Sequence, residues 1–296
     1  MKLIHTGPSP HSGHKIDKFI KCPQLYSYGE LMEPSPLGER VESPALIKGS
    51  LGHQGLAHYY RRKQAAQEGD NLDQWWEPMR AIEERAAREG GTWLDFVSLA
   101  QTTVEAYIRM MDGQRIVVVG VESNLEATIE FKGQTWPLTR SADLIVRVAD
   151  SYRIVDHKFV GRLNKRTVSR YGLSGQFLDY ARMGHAKWGS QFDGAWINFI
   201  EWPNSGDPKI EQMRAPSAPH AVEARGSQLA WAYGARAELS RRGLDPWDYP
   251  KRLHEQVCNG PYGMCKAVEL CSWGKVADPN GAYEGVDTCP GLDYGG

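Results

Sequence analysis

Residues 140–159 run Arg140-Ser-Ala-Asp143-Leu-Ile-Val-Arg-Val-Ala-Asp150-Ser151-Tyr-Arg-Ile-Val-Asp156-His157-Lys158-Phe159. Two runs rich in β-branched residues flank Asp150-Ser151, a two-residue turn candidate, so the stretch predicts a β-hairpin. With the turn centred there, Asp143 falls opposite Lys158. Asp156 shares a face with Lys158, because side chains on a strand alternate with period two. Three charged groups then converge on otherwise apolar strands, which is costly unless they pair or hold a cation. Two carboxylates and a lysine suit a divalent-metal hydrolase: the carboxylates are hard oxygen ligands for Mg²⁺ or Mn²⁺. Such a metal acidifies a water and neutralises charge on a phosphate, while the lysine orients the nucleophile. A surface hairpin with an ion pair is the plainer reading of the same residues. Acid-x-Lys also occurs at Asp207-Pro208-Lys209, in a Gly/Pro loop, and at Glu130-Phe131-Lys132, which lacks a suitably spaced upstream acid.

Upstream of the hairpin, Ile116–Val121 and Leu125–Phe131 read as strands, and the hairpin arms as Trp136–Val148 and Tyr152–Val160. Before them come three helices: Ala45–Gln67, Trp76–Glu89 and Trp93–Met111, with Gly90-Gly91 as a break. Downstream, Gly175–Trp188 reads as a helix, Ala195–Trp202 as a strand and Ala221–Arg241 as a long helix. Residues 1–44 look irregular, with helix around Ile16–Tyr28, and Pro34, Pro36 and Pro44 break anything longer. Strands in succession followed by helix and strand predict an α/β protein with a mixed central sheet, not a regularly alternating one. Trp75, Trp76 and Trp93 read as anchors of the helical section.

The composition narrows the function. With 35 Lys+Arg against 36 Asp+Glu in 296 residues, the chain is no general polycation, so nucleic-acid contact needs a local basic patch. No run of eighteen apolar residues occurs, so no membrane span is expected. Met1–Lys15 has no apolar segment of the secretory kind, and the expected location is cytoplasmic.

Two helices carry further candidates. Gln176 and Tyr180 are four apart and share a helical face, within reach of an acidic site or a phosphate. His53 and His58, five apart in Gly49-Ser-Leu-Gly-His53-Gln-Gly-Leu-Ala-His58, lie on different faces, so one is a ligand candidate and the other packing or surface. Taken in order, Gly49…His53, Asp143, Asp156-His157-Lys158 and Gln176…Tyr180 resemble the RecB-type branch of the PD-(D/E)XK nuclease superfamily. That family has Gly-x-x-x-His on a helix, Gly-x-x-Asp, then Asp/Glu-x-Lys on the next strand and Gln-x-x-x-Tyr on the following helix. The match spans about residues 45–202 and departs in one place, Arg140 standing where the family has the glycine before the first Asp. The resemblance implies a restriction-endonuclease-like core, a mixed sheet flanked by helices. It implies Mg²⁺ or Mn²⁺ on Asp143 and Asp156, aided by the His157 main-chain carbonyl and by His53. Lys158 would position the attacking water, and Gln176 and Tyr180 would orient Lys158 or the DNA.

The five cysteines are unevenly placed: Cys22, then Cys258-x6-Cys265-x5-Cys271, and Cys289. Three in a glycine-containing loop with a distant fourth suit a tetrahedral Zn²⁺ or an iron–sulfur cluster. Unligated buried thiols are the alternative. One subset of RecB-type nucleases, including the CRISPR-associated iron–sulfur exonucleases, has one cysteine before the core and three after it. By that resemblance Cys22, Cys258, Cys265 and Cys271 would bind a [4Fe–4S] cluster, leaving Cys289 surplus. Such a cluster would tie the N-terminal segment to the C-terminal tail.

Between Lys158 and the Gln176 helix lies a basic run, Arg162, Lys165, Arg166 and Arg170, where a phosphate backbone would pass. Arg61-Arg62-Lys63 forms a second. No Gly-x4-Gly-Lys-Ser/Thr occurs, so any helicase or recombination motor would be a partner. The chain is thus expected to be one nuclease domain over 1–296: an N-terminal segment 1–44, a core 45–205 and a C-terminal helix with cysteine-rich tail 206–296. The expected activity is metal-dependent DNA cleavage, as an exonuclease on single-stranded ends in recombination, repair or CRISPR-type processing. The alternative is a non-catalytic DNA-binding or assembly module with the same fold.

Overall fold

The computed structural model describes residues 12–32, 35, 37, 42–68, 76–131, 133–171, 174–203, 207–245, 248–251, 258–260, 263–265, 267 and 271. The chain divides into two compact units, Met1–Ser12 with Glu42–Ser227 and Gly13–Val41 with Gln228–Gly296.

The first unit is built on a five-stranded sheet in the order β1-β2-β3-β4-β5. Strands β1 (Val117–Phe131), β2 (Gln134–Val148) and β3 (Ser151–Val160) form an antiparallel meander. Helix α7 (Gly175–Trp188) crosses over to β4 (Phe192–Glu201), which runs parallel to β3. Strand β5 (Ile210–Arg214) closes the sheet antiparallel to β4. The mixed sheet expected from the sequence is therefore present. Strand β5 was not foreseen, because its polar residues Glu211, Gln212 and Arg214 mask the β pattern on a solvent-facing edge.

On one face, helices α3 (Pro44–Gln67), α4 (Glu77–Glu89) and α5 (Val97–Met111) bury Leu51, Leu56, Ile82, Val104 and Tyr107 against Leu144, Val146, Val155 and Ile200. The alternate strand residues Ile145, Ile154, Ile197 and Phe199, all buried, belong to the α7 face. Helix α3 starts on a Ser43 cap whose side chain accepts the Leu46 N–H, with Pro44 in the first turn. Its glycines serve close approach: a Cβ on Gly52 would lie 2.3 Å from the Phe159 ring, and one on Gly55 2.8 Å from Ile82. Those contacts lay α3 directly on β3 and deliver His53 to the sheet. Trp93 is buried and donates from Nε1 to Glu42 at 2.9 Å. Trp76 is exposed beneath Arg80 rather than an anchor, and Trp75 lies outside the described residues.

Two strand details correct the expectations. The sequence suggests two strands before the hairpin, whereas β1 is continuous, with a bulge between Val118 and Gly120 and Glu122 at φ 47. Ser123 and Asn124 pair with Ala142 and Ser141, so the ladder runs through the polar stretch that reads as a break. The hairpin turn is Ala149-Asp150, since Val148 pairs with Ser151. Extending that register sets Asp143 opposite Asp156, not Lys158. Ala149 takes the left-handed conformation, φ 50, that the tight turn needs. Moving the turn by one residue slides the partner by two, so the three charges keep one face.

In the second unit, α1 (Gly13–Lys21) and α2 (Pro23–Glu30) replace the single helical region expected over Ile16–Tyr28. Pro23, lacking an N–H, begins a new helix at its first turn, with Cys22 extended before it. Lys15 and Lys18 both pair with Glu30. Helix α8 (Pro219–Arg241) runs through the division between the units, and a two-residue ladder, β6 (Asn259–Gly260) with β7 (Gly263–Met264), follows. No described helix is long and apolar enough to cross a membrane.

Candidate active site and cysteine cluster

Pairing of β2 with β3 stops at Leu144↔Val155. The next residue on each strand is a carboxylate, Asp143 and Asp156, so the acids sit where the strands part. Parting leaves the N–H of His157 without a ladder partner. Asp143 Oδ2 accepts it at 2.7 Å. In an extended strand a residue's N–H and C=O share one edge, so the His157 carbonyl faces the same opening.

Four elements converge there. Helix α3 brings His53, with Nδ1 3.3 Å from Asp143 Oδ2. Strand β1 brings Glu122, which lies between the pairs Val121↔Leu144 and Ser123↔Ala142 and so across from Asp143. Ligand atoms of His53, Glu122 and Asp143 all lie within 4.8 Å of one another. Strand β3 brings Lys158, whose Nζ is 2.7 Å from Asp156 Oδ2. Helix α7 brings Gln176, which accepts from Lys158 Nζ at 3.1 Å and donates to Asp156 Oδ1 at 2.7 Å. Tyr180, buried on the same helical face, receives a hydrogen bond from Gln176 at 3.0 Å and donates to the Ser141 carbonyl. Every expected site residue of the core thus lies in one cluster. His58 is half-buried elsewhere on α3, as its spacing from His53 requires.

The electrostatics ask for a cation. Three carboxylates face one lysine. Burial, then Asp156 and then Glu122, push the Asp143 carboxyl well above its usual range. Burial raises Glu122 as well, against Arg61 and with Asp156. Burial and Lys158 press His53 down to about 4, so it presents a neutral imidazole, the form that ligates metal. Burial opposes the charge on Lys158, but Asp156 and Asp143 outweigh it and raise its pKa. Asp156 is 2 % exposed, and its Oδ2 lies beside the Lys158 ammonium without a well-aligned hydrogen bond. Clustered hard oxygens with a neutral imidazole fit Mg²⁺ or Mn²⁺.

The ring of His157 points to the other face and is no ligand. It stacks on Tyr60 at 5.7 Å and meets Tyr107 edge-on. Its Nδ1 is 3.3 Å from Asn198 Nδ2, and Asn198 also donates to Tyr107 and accepts from Gln212. This network holds the backbone of His157 from behind. Glu122 was missed by sequence reasoning. Its only sequence signal is an acid inside the apolar run Val117-Val-Val-Gly-Val-Glu122, and nothing in the spacing marks it.

In the second unit, Cys22 is buried and Cys258, Cys265 and Cys271 are partly buried, none in a disulfide among the described residues. The Cys265 N–H donates to the Cys258 carbonyl at 2.6 Å. The Cys271 thiol is pushed up to about 11 by burial and by Cys22, with smaller contributions from Cys265 and Cys258. Cys271 thus lies near enough to each of the other three thiols to be opposed as a thiolate, a repulsion that a bound cation relieves. Cys289 lies outside the described residues.

The basic loop forms α6 (Lys165–Ser169), capped by Asn164 accepting the Thr167 N–H, and leaves Arg162, Lys165, Arg166 and Arg170 exposed. Of the second basic run, Arg62 pairs with Glu77 at 3.2 Å and Lys63 lies over Tyr59.

The sequence profile of the PD-(D/E)XK nuclease superfamily matches residues 10–272. No curated protein matches the chain by sequence. Among solved structures, a candidate exonuclease from Eubacterium rectale is similar at 15 % identity and TM-score 0.49, over 88 % of this chain and 92 % of that one. The structure of SSO0001 is similar at 10 % identity and TM-score 0.31, over 74 % of this chain and 84 % of that one.

Proposed function

Since the chain belongs to the PD-(D/E)XK nuclease superfamily, we propose that it is a metal-dependent deoxyribonuclease, an exonuclease acting on single-stranded DNA ends. The observation that carries this is the junction of Asp143, Asp156, Lys158 and Gln176 where β2 and β3 separate. Asp143 and Asp156, with the His157 carbonyl, His53 and Glu122, would hold Mg²⁺ or Mn²⁺. When bound, the metal supplies a water of lowered pKa and screens the charge on the phosphate. Lys158, charged and 22 % exposed in its side chain, donates toward the water that attacks phosphorus. Gln176 bridges Lys158 and Asp156, holding the ammonium beside the carboxylate. Tyr180 fixes Gln176 from below. Arg162, Lys165, Arg166 and Arg170 supply phosphate contacts that hold the strand without reading its sequence.

The end preference, the single-stranded preference and a place in recombination, repair or CRISPR-type processing rest on the resemblance to RecB-type nucleases. The same resemblance assigns Cys22, Cys258, Cys265 and Cys271 to a [4Fe–4S] cluster, with Zn²⁺ as the alternative occupant, and the influence of the other three thiols on Cys271 supports a shared centre. The whole chain is read as one nuclease, its core at 45–205, with any helicase a separate partner.

The test is digestion of end-labelled single-stranded, duplex and circular DNA with Mn²⁺, Mg²⁺ or EDTA, using anaerobically purified protein beside Lys158→Ala. Metal-dependent shortening from an end, lost in the variant, is expected. Cleavage that survives the variant, or none by the folded wild type, would overturn the assignment. Iron, sulfide and zinc analysis decides the cysteine centre: about four irons and four sulfides per chain for the cluster, or one zinc against it.

A further inference from the structure

Arg140 stands where the family motif has glycine, and its side chain reaches across to α7. Its Nε donates to Asp179 Oδ2 at 2.9 Å, and a second nitrogen donates to the same oxygen. Arg225 of α8 grips the same carboxylate from the other side, at 3.0 Å to Oδ1 and 3.1 Å to Oδ2. The triad is sealed: side-chain exposures are 9 % for Arg140, 4 % for Arg225 and 0 % for Asp179. Arg225 also covers the first turn of α7, where a Cβ on Gly175 would lie 2.8 Å from its Cζ.

Asp179 lies three residues after Gln176 and directly before Tyr180, so the triad clamps the turn of α7 that faces the acids. A further tie between β2 and this turn is the Tyr180 hydroxyl on the Ser141 carbonyl, one residue from Arg140. Both ties come from the segment that leads into Asp143. We infer that Arg140 is a positioning residue: through Asp179 it locks the Gln176–Tyr180 turn in register with the Asp143 strand. Charge-assisted guanidinium–carboxylate hydrogen bonds are directional, which suits that task better than an apolar contact. Asp156 and Lys158 are both held through Gln176, so a shift of α7 moves the ammonium and the carboxylate relative to each other.

The charge count makes the inference testable without unfolding the protein. Removing Arg140 still leaves the Asp179 carboxylate held by Arg225. Removing Asp179 takes from two buried guanidiniums the carboxylate they share, which is strongly destabilising. The inference rests on the nuclease reading, so the test includes a readout that does not need cleavage.

Arg140→Ala, Arg140→Lys and the wild type are compared in steady-state cleavage of single-stranded DNA with Mn²⁺, in Mn²⁺ calorimetry and in amide hydrogen exchange. In Arg140→Ala, kcat is expected to fall about 10- to 100-fold, as for a misplacement on the order of 1 Å. KM and Mn²⁺ affinity are expected to stay within about twofold, below the range of lost ligand-orienting contacts. Arg140→Lys, which keeps the cation, recovers most of the loss. Amides of 176–180 exchange at least about tenfold faster in Arg140→Ala while those of β3 do not change. Wild-type kcat in Arg140→Ala, or a parallel loss of metal affinity, overturns the positioning role. If the wild type does not cleave at all, the nuclease reading fails while exchange at 176–180 still decides the clamp.

Discussion

The main-chain N–H of His157 donates to Asp143 Oδ2 at 2.7 Å just beyond the last β2–β3 pair, Leu144↔Val155. The carboxylate thus replaces a ladder acceptor, and the point where β2 and β3 part becomes a site. Removing it both vacates a ligand and leaves a half-buried N–H unpaired.

Asp143→Ala is therefore expected to lose Mn²⁺ binding and cleavage together, and Lys158→Ala to lose cleavage alone. For Lys158→Ala the fall is on the order of 100- to 10,000-fold, the range of a proton-handling group. Calorimetry with Mn²⁺ beside a cleavage assay separates the two. Metal affinity lost in Lys158→Ala as in Asp143→Ala would contradict the assigned roles.

Metal affinity is expected to rise with pH. Asp143 and Glu122 are raised in the free protein, so protons leave when a cation arrives, and this competition weakens as pH climbs. His53, held at about 4, stays neutral and adds no competition above that pH. Carboxylates raised by folding destabilise the metal-free protein as pH rises past their ordinary range, and the cation reverses this. The metal-induced gain in Tm is thus larger near about pH 7.5 than near about pH 5. Equal gains at the two pH values would count against these ligands.

Glu122→Gln keeps size and hydrogen bonding but removes the charge. A fall of about 10- to 100-fold in Mn²⁺ affinity is expected, with the fold intact by circular dichroism. Unchanged affinity would place Glu122 outside the metal site.

Ala149 holds φ 50 in the β2–β3 turn, where glycine carries no Cβ penalty. Ala149→Gly is expected to stabilise by up to about 1 kcal/mol, raising Tm by about 2 °C. A fall in Tm on thermal unfolding would mean the turn is not strained.

Cys271→Ser is expected to lose the metal of the cysteine centre, whereas Cys289→Ser retains it. Metal analysis of the two purified variants checks this, and loss in both would bring Cys289 into the ligand set.

Much of this protein is legible in its sequence, for local reasons. Gly175–Trp188 is a helix over the residues that periodicity indicates, and β2 and β3 begin within about two residues of their predicted starts. Asp143, Asp156 and Lys158 share a face whether the turn is Ala149-Asp150 or Asp150-Ser151, because strand alternation survives a two-residue slide. Gln176 and Tyr180 share a face because helical spacing requires it.

What the sequence by itself determined is therefore which residues lie on a common face of one element. Which faces meet was decided by tertiary structure. Glu122 reaches Asp143 only because β1 bulges before it and carries it at φ 47. Arg140 reads as a lost glycine until α7 and α8 close on it through Asp179. Cys22 and Cys271, far apart in sequence, come together only within a folded unit. Each of these depends on register, bulges and long-range packing, which place residues by contacts between elements and leave no period along the chain.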